Sequence, residues 1–529
     1  MRPAGAVTGL PQRRPVPALR RLARGWRNSD LARADRPTLA ICAAALLIGL
    51  AARLFVSPDR PLWLDEAWTL GMAGLPDWRS TVEQVWLDAN APLYPLLIHL
   101  CAGLAGTSDA ALRGPSLVFS LAAPLLVAGW RVDGLRVEER LALAALLAVW
   151  SEGILQAQEA RCYALLLLLA AAQTLAFLQL LRRPDLGRTA LWTGLAGAVI
   201  LTHYQAAALG LFQGLAYLAA HRMRAVRTWP AALALAPALA VGLWHAPRLA
   251  LFARPDVAWY PLVTWDTVTE VLRYMTGAGV LYLLPGAGLG FAVWRLVRGR
   301  AAVSGPAAPW LAALTAVAAA GLLLAVGAAR PSFSLRYVTP CVPGVGLLLV
   351  LGARALAPVF PGAVTGLMLM AAALGANWSM DVAGRLRHPY TFEAASRDLA
   401  ATRPAHLVFL WDHPAQQVER PSQYVLLGGA FLRRAGSTAE VIPVMVAPGE
   451  DPNPRLVQSA RKPDSVILWL YDTHVRGTAA ARFAPRIPAL DASFGCRDYA
   501  RGAIGVIACA RSWAPSATPG ATSRGSGRP

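Results

Sequence analysis

Two adjacent carboxylates, Asp65 and Glu66, stand in the run Trp63-Leu64-Asp65-Glu66-Ala67-Trp68, just past the first long apolar stretch of the chain. Carboxylates at a membrane boundary cost solvation unless they are paired, metal-bound or wet. A carboxylate there can take a proton from an attacking hydroxyl. The plainer reading is an acidic loop between interfacial tryptophans. Three further polar clusters interrupt apolar runs: Gln158-Glu159-Ala160-Arg161-Cys162-Tyr163, Thr202-His203-Tyr204, and Ser332 to Tyr337 with its Arg336-Tyr337 pair. An arginine fork matches phosphate oxygens through charge-assisted, often bidentate hydrogen bonds. Arg161 could equally pair with Glu159 or snorkel, and His203 could be a buried core histidine. If all four clusters share one face, a hydroxyl-activating carboxylate and two arginines would suit chemistry on a phosphate-bearing lipid.

The elements that must position these residues are apolar. Of 529 residues, 56% are hydrophobic and only 15% charged, against about 25% charged in soluble domains. That excludes disorder, collagen-like repeats and a small disulfide scaffold, and it points to a polytopic α-helical membrane protein. The net charge of +20 is nearly all arginine, Lys462 being the only lysine. The arginines cluster between apolar segments, which is a topology signal rather than a nucleic-acid footprint, so no nucleic-acid partner is expected. Residues 1–36 carry nine arginines and scattered prolines and read as a disordered cytoplasmic tail. Placing the later clusters (Arg131/Arg136/Arg140, Arg182/Arg183/Arg188, Arg222/Arg224/Arg227, Arg295/Arg298/Arg300, Arg354) on the same inner side gives eleven spans. These are 37–56, 114–131, 140–156, 162–181, 189–204, 205–220, 228–247, 271–297, 308–329, 338–356 and 358–378, within a membrane domain of 37–378. The arginine-poor segment 57–113 is then the first outer loop. Pro92 to Gly106 is apolar but too short to cross, and reads as an interfacial or re-entrant helix. The four polar clusters all fall at outer span ends.

An odd number of spans puts the C-terminal region outside. There, His406 to Trp411, Ser465 to Tyr471 and Ala503 to Cys509 read as buried strands, with Phe392 to Ala401 helical between the membrane domain and the first of them. Residues 380–512 therefore form a small extracytoplasmic α/β domain, and 513–529 a disordered tail. Trp411, Asp412, His413 and Asp472 at its strand ends could touch an acceptor or be ordinary loop residues. Cys42, Cys101, Cys162 and Cys341 read as small buried hydrophobes, whereas Cys496 and Cys509 could bridge in an oxidising compartment. No Cys/His zinc spacing appears. Gly286-Ala287-Gly288-Leu289-Gly290 lies in an apolar span, where small-residue helix packing explains it better than nucleotide binding. With no phosphate-loop motif either, an activated sugar would not be a soluble nucleotide sugar. A transporter would place its charges near the bilayer midplane rather than at span ends. That reading and a catalytically silent envelope-assembly protein are the alternatives.

The order Trp63-Leu64-Asp65-Glu66-Ala67-Trp68-Thr69, Ala91-Pro92-Leu93-Tyr94, Ala111-Leu112-Arg113, Gln158-Glu159-Ala160-Arg161-Cys162-Tyr163, His203-Tyr204, Arg336-Tyr337 resembles the family 39 type of membrane glycosyltransferases with the GT-C fold. That group includes protein O-mannosyltransferases, aminoarabinose transferases and galacturonosyltransferase-like enzymes. The resemblance covers about residues 37–378. It implies about 11–13 transmembrane helices in a bacterial-type inner membrane, and inverting transfer of a hexose or pentose from a polyprenyl-phosphate-linked donor. The acceptor would be a hydroxyl on a lipid, polysaccharide or protein at the outer face. Asp65 then matches the family's first-loop acid, with Glu66 beside it in support. Pro92, Leu93 and Tyr94 match its juxtamembrane segment. Arg113, Arg161 and Arg336 sit where family arginines lie near the donor phosphate or brace the cavity, with Tyr163, His203, Tyr204 and Tyr337 around them. Ala91 stands where the family has the first proline of a pair, and the His or Asn before that pair is displaced to Asn90. Donor identity is therefore not carried over. A divalent metal takes part in some members of the fold.

Overall fold

The structure is a computed structural model that describes residues 35–54, 62–252, 261–277, 307–356, 365–369, 391–412, 420–446, 450–472, 491–499 and 504–513. Outside these fall residues 1–34 and 514–529 of the terminal tails, 278–297 and 370–378 of two expected spans, His413, and the glycines 286, 288 and 290.

The helices of the membrane portion follow the apolar runs. They are α1 (Arg36–Leu54), α2 (Leu64–Ala73), α3 (Trp78–Leu87), α4 (Leu93–Ala105), α5 (Asp109–Gly129), α6 (Val137–Val149), α7 (Ser151–Gln156), α8 (Tyr163–Arg182), α9 (Leu186–Thr202), α10 (Ala207–His221), α11 (Ala236–Phe252), α12 (Trp265–Thr276), α13 (Ala308–Ala329) and α14 (Val342–Leu356). Among the described residues six helical stretches are long and apolar enough to cross a membrane: 36–54, 109–129, 163–182, 229–252, 308–329 and 335–354. The chain is a multi-pass membrane protein. α8 is apolar on every side and buried along nearly its whole length, so it forms the centre of the bundle. α4 spans 13 residues, too few to cross.

Two expected spans depart from their sequence reading. The run 140–156 is broken at Trp150, between α6 and α7. Arg53, fully buried near the end of α1, explains the break. It donates to the carbonyls of Gly49 and Leu147 at 2.8 and 2.9 Å, to that of Ala148, and to Ser120 Oγ at 2.8 Å. A cation suits the unpaired carbonyls at a helix C-terminus, where the helix dipole is negative. The second departure is 271–297. Its first residues end an amphipathic helix, α12, which stops at Gly277 in the left-handed region (φ 80°).

Among the described residues, the arginine-rich loops converge at one end. Arg183 pairs with Asp133 at 3.0 Å, Arg354 pairs with Glu139, and the Asp35 amide donates to Glu138 at 3.2 Å. The opposite end carries α2 and the C-terminal region. The latter consists of α15 (Thr391–Ala401), α16 (Pro421–Arg434), α17 (Asn453–Ser459) and a five-stranded sheet. The strands are β1 (His406–Asp412), β2 (Glu440–Pro443), β3 (Ser465–Asp472), β4 (Gly495–Asp498) and β5 (Ile504–Ala510), in the order β2-β1-β3-β5-β4. β1 runs parallel to β2 and β3, while β5 runs antiparallel to β3 and β4. The expected strands correspond to β1, β3 and β5; β2 and β4 are four-residue edge strands, too short for an alternation to show. A disulfide joins Cys496 of β4 to Cys509 of β5.

This α/β region packs directly on the first loop. Leu62, Ala67 and Leu70 share one buried cluster with Phe392, Phe409, Leu427 and Phe431. Each buried Leu or Phe side chain there contributes about 1.5–3 kcal/mol. Gly71 permits the close approach, since a Cβ there would lie 2.7 Å from the Leu426 side chain of α16. The Leu62 amide donates to Glu393 of α15 at 3.1 Å, and Arg434 of α16 pairs with Asp109 of α5.

Candidate active site

Helix α2 begins at Leu64, so Asp65 and Glu66 lie in its first turn, where carboxylates are favoured by the helix dipole. They point in different directions. Glu66 is fully buried. Its Oε1 accepts from Arg113 Nε at 2.9 Å and from the Ala160 amide at 2.8 Å; its Oε2 accepts from Arg113 Nη2 at 2.8 Å and the Trp63 amide at 3.3 Å. Four donors occupy both oxygens, which leaves this carboxylate nothing further to accept. Glu66 and Arg113 form the bracket that ties α2 to α5 and to the loop before α8, the bracing alternative of the two the resemblance offers for Arg113.

Asp65 remains one-third exposed. Its Oδ2 lies 3.4 Å from Arg161 Nη2 and 3.5 Å from Arg336 Nη1, and its carbonyl faces Arg161 Nη1 at 3.4 Å. Close charge-assisted bonds run about 2.7–2.9 Å, so one oxygen holds two guanidinium groups loosely. Arg161 Nε is buried and has no hydrogen-bond partner among the described residues. Arg336 lies over the rings of Trp63 and Tyr163, 4.7 and 5.5 Å from their centroids, a cation–π setting that holds a guanidinium without saturating its donors.

The sequence clusters from three span ends do meet here. The loop carrying Arg161 is set by the break at Trp150, whose indole donates to the Tyr274 carbonyl at 2.7 Å. The Tyr274 hydroxyl bonds Gln156 and Thr339, both at 2.8 Å, and Thr339 in turn bonds the Arg336 carbonyl at 2.7 Å. His203 is buried beside Tyr163 and Tyr337, with ring centroids 5.8 and 4.8 Å away. Its Nδ1 has no hydrogen-bond partner among the described residues. Tyr94 of α4 is buried and bonds Ser116 Oγ at 3.1 Å, while Ser116 lies 3.2 Å from the Arg161 carbonyl. Pro92 caps α4, and Leu93 packs at the edge of the cluster shared with the sheet. Tyr204 serves elsewhere than expected: its hydroxyl bonds His245 Nδ1 at 2.8 Å, and His245 Nε2 bonds the Trp86 carbonyl at 3.1 Å. Among the described residues, no three His, Cys, Asp or Glu side chains gather closely enough to hold a metal ion.

Beside Arg161 opens a small cleft, partly open to solvent, lined by Trp68, Asp88, Asn90, Tyr94, Arg161 and Thr202 among others. Asp88, Thr69, Ser116 and Arg53 carry no assigned role in the sequence analysis. Only Arg53 left a signal, as a lone arginine inside an apolar run.

No protein-family model matches the chain, and no curated protein matches it. Solved structures do. ArnT from Cupriavidus metallidurans in the apo state is similar over 93% of this chain and 99% of its own, at 13% identity and a TM-score of 0.55. The same ArnT bound to undecaprenyl phosphate aligns over 89% and 97%, at 14% identity and a TM-score of 0.51. An oligosaccharyltransferase from Archaeoglobus fulgidus in the apo form aligns over 87% of this chain and 73% of its own, at 11% identity and a TM-score of 0.51. At such identities the likeness is one of fold. The chain is a polytopic α-helical membrane protein with a GT-C-like fold and a small C-terminal α/β domain.

Proposed function

We propose that this protein is a membrane glycosyltransferase that moves a sugar from a polyprenyl-phosphate-linked donor to an acceptor hydroxyl. The observation that carries the reading is Asp65, one accessible carboxylate oxygen shared by Arg161 and Arg336 at the end of an apolar bundle. The ArnT structure that contains undecaprenyl phosphate has the same fold, which supports a lipid-phosphate ligand.

In the resting site Asp65 occupies the arginines. A donor phosphodiester, with two non-bridging acceptor oxygens, competes for both forks and releases the Asp65 carboxylate. Asp65 then accepts the proton of the acceptor hydroxyl as its oxygen bonds the anomeric carbon. The bond from that carbon to the phosphate oxygen breaks, and its electron pair leaves on the polyprenyl phosphate. Arg161 and Arg336 stabilise the charge developing there, beside the rings of Trp63, Tyr163 and Tyr337. Attack opposite the leaving phosphate inverts the anomeric centre.

The first loop and the C-terminal domain share one end of the bundle; we take it as the outer face of a bacterial-type inner membrane, because the arginine-rich loops occupy the other. The acceptor is then an envelope lipid, polysaccharide or protein. Purified protein in detergent, given a panel of polyprenyl-phosphate sugars with envelope extract as acceptor, should release polyprenyl phosphate from at least one donor. Folded protein that releases none from any donor would refute the reading and favour transport or a silent partner.

A further inference from the structure

The cleft beside Arg161 lies on the same face of α2 as the proposed base. Asp65, Trp68, Thr69 and Met72 recur at i, i+3, i+4 and i+7, one stripe of a helix, and the last three line the cleft. Its far wall is the short loop between α3 and α4. There Asn90 Nδ2 donates to both oxygens of Asp88, at 3.0 and 2.9 Å, and the Ala89 amide donates to Asp88 Oδ1 at 2.7 Å. The two side chains thus present one fixed carboxylate–carboxamide edge.

The end of α3, which leads directly into that edge, is held from two distant parts of the chain. His245 and Arg248 of α11, both buried, reach the carbonyls of Trp86 and Leu87 at 3.1 Å each. Gln423 of α16, also buried, reaches the Leu87 carbonyl at 3.3 Å. Burying three polar side chains to anchor the end of α3, and with it the first residue of the loop, carries a desolvation cost that a merely solvated helix end does not require. Trp68, braced 6.3 Å from the Trp411 ring of β1, adds an aromatic wall.

We infer that this cleft is the subsite for the donor's sugar ring, and that Asp88 and Asn90 select a hydroxyl-bearing ring without a carboxylate. This rests on the function proposed above and names its substrate class. Paired carboxylate and carboxamide groups hydrogen-bond neighbouring hydroxyls, an indole covers the apolar face of a pyranose, and Arg161 at the cleft's edge keeps the phosphate next to the ring. A uronic acid would set its own carboxylate against Asp88, in a setting where like charges repel.

The test is binding without acceptor. Affinities of the wild type, Asp88→Asn and Asn90→Ala are measured for bare polyprenyl phosphate, for the same lipid carrying mannose, glucose or galactose, and for the lipid carrying galacturonate. The best neutral sugar should raise wild-type affinity about tenfold over the bare lipid, and galacturonate should not. Either substitution should reduce that gain to under about threefold while leaving bare-lipid affinity within about twofold. A neutral-sugar gain that survives both substitutions, or a wild-type galacturonate gain equal to it, overturns the assignment while the glycosyltransferase reading stands. Failure of the folded wild type to bind any of these lipids overturns both.

Discussion

Asp65 and Glu66 are neighbours in sequence, yet they sit in opposite electrostatic settings. Successive residues of a helix point about 100° apart, so when α2 packs one face inward, Glu66 enters the bundle and Asp65 stays at its rim. Glu66 is matched by one arginine and two amides at hydrogen-bonding distance, with nothing left over. Asp65 is approached by two arginines at longer range, and Arg161 keeps a free Nε. A closed pair of charges serves architecture; an open cluster with spare donors can exchange partners. The contrast separates two roles that the motif alone presents as one.

The closed pair should break most expensively. Glu66→Ala removes the carboxylate that holds the buried Arg113 Nε and Nη2, and breaking a buried ion pair costs about 3–5 kcal/mol. Detergent-solubilised protein should then show a markedly lower melting temperature or fail to accumulate. The double change Glu66→Gln with Arg113→Met should recover much of that loss, and a double-mutant cycle measures the coupling. At the open cluster, Arg161→Ala or Arg336→Ala should weaken polyprenyl-phosphate binding about 10–100-fold, since a hydrogen bond to a charged group contributes about 1.5–3 kcal/mol. Melting should change little, and Arg→Lys should restore only part of the affinity, because an ammonium lacks the planar fork. Unchanged affinity in both alanine variants would reassign the arginines to structure. The smallest effect belongs to the contact that seats the C-terminal domain. Gly71→Ala forces its Cβ against Leu426, which costs about 1–3 kcal/mol; it should raise protease sensitivity of residues 391–513 before it lowers donor binding.

Much of this was legible in the residues. The strongest apolar runs became α1, α5, α8 and α13, because hydropathy over some twenty residues is a direct signal of a span. Asp65, Arg161 and Arg336 were legible as polar residues at span ends, where burial demands a reason. The separate fate of Glu66 was not, because adjacency says nothing about which side of α2 faces inward. Nor was the break at Trp150, which depends on Arg53 reaching across from another helix, nor the redeployment of Tyr204 toward His245. Those are contacts between residues tens to a hundred positions apart, and no local spacing encodes them.

The most direct test sets Asp65→Asn beside Glu66→Gln and measures polyprenyl-phosphate release per folded molecule together with the melting temperature of each. The account predicts that Asp65→Asn melts like the wild type but loses turnover by about 10²–10⁴-fold, the range expected of a general base. Glu66→Gln should melt lower and keep turnover within about tenfold per folded molecule. Full turnover in Asp65→Asn, or a specific loss of turnover in a Glu66→Gln protein of normal stability, would contradict it.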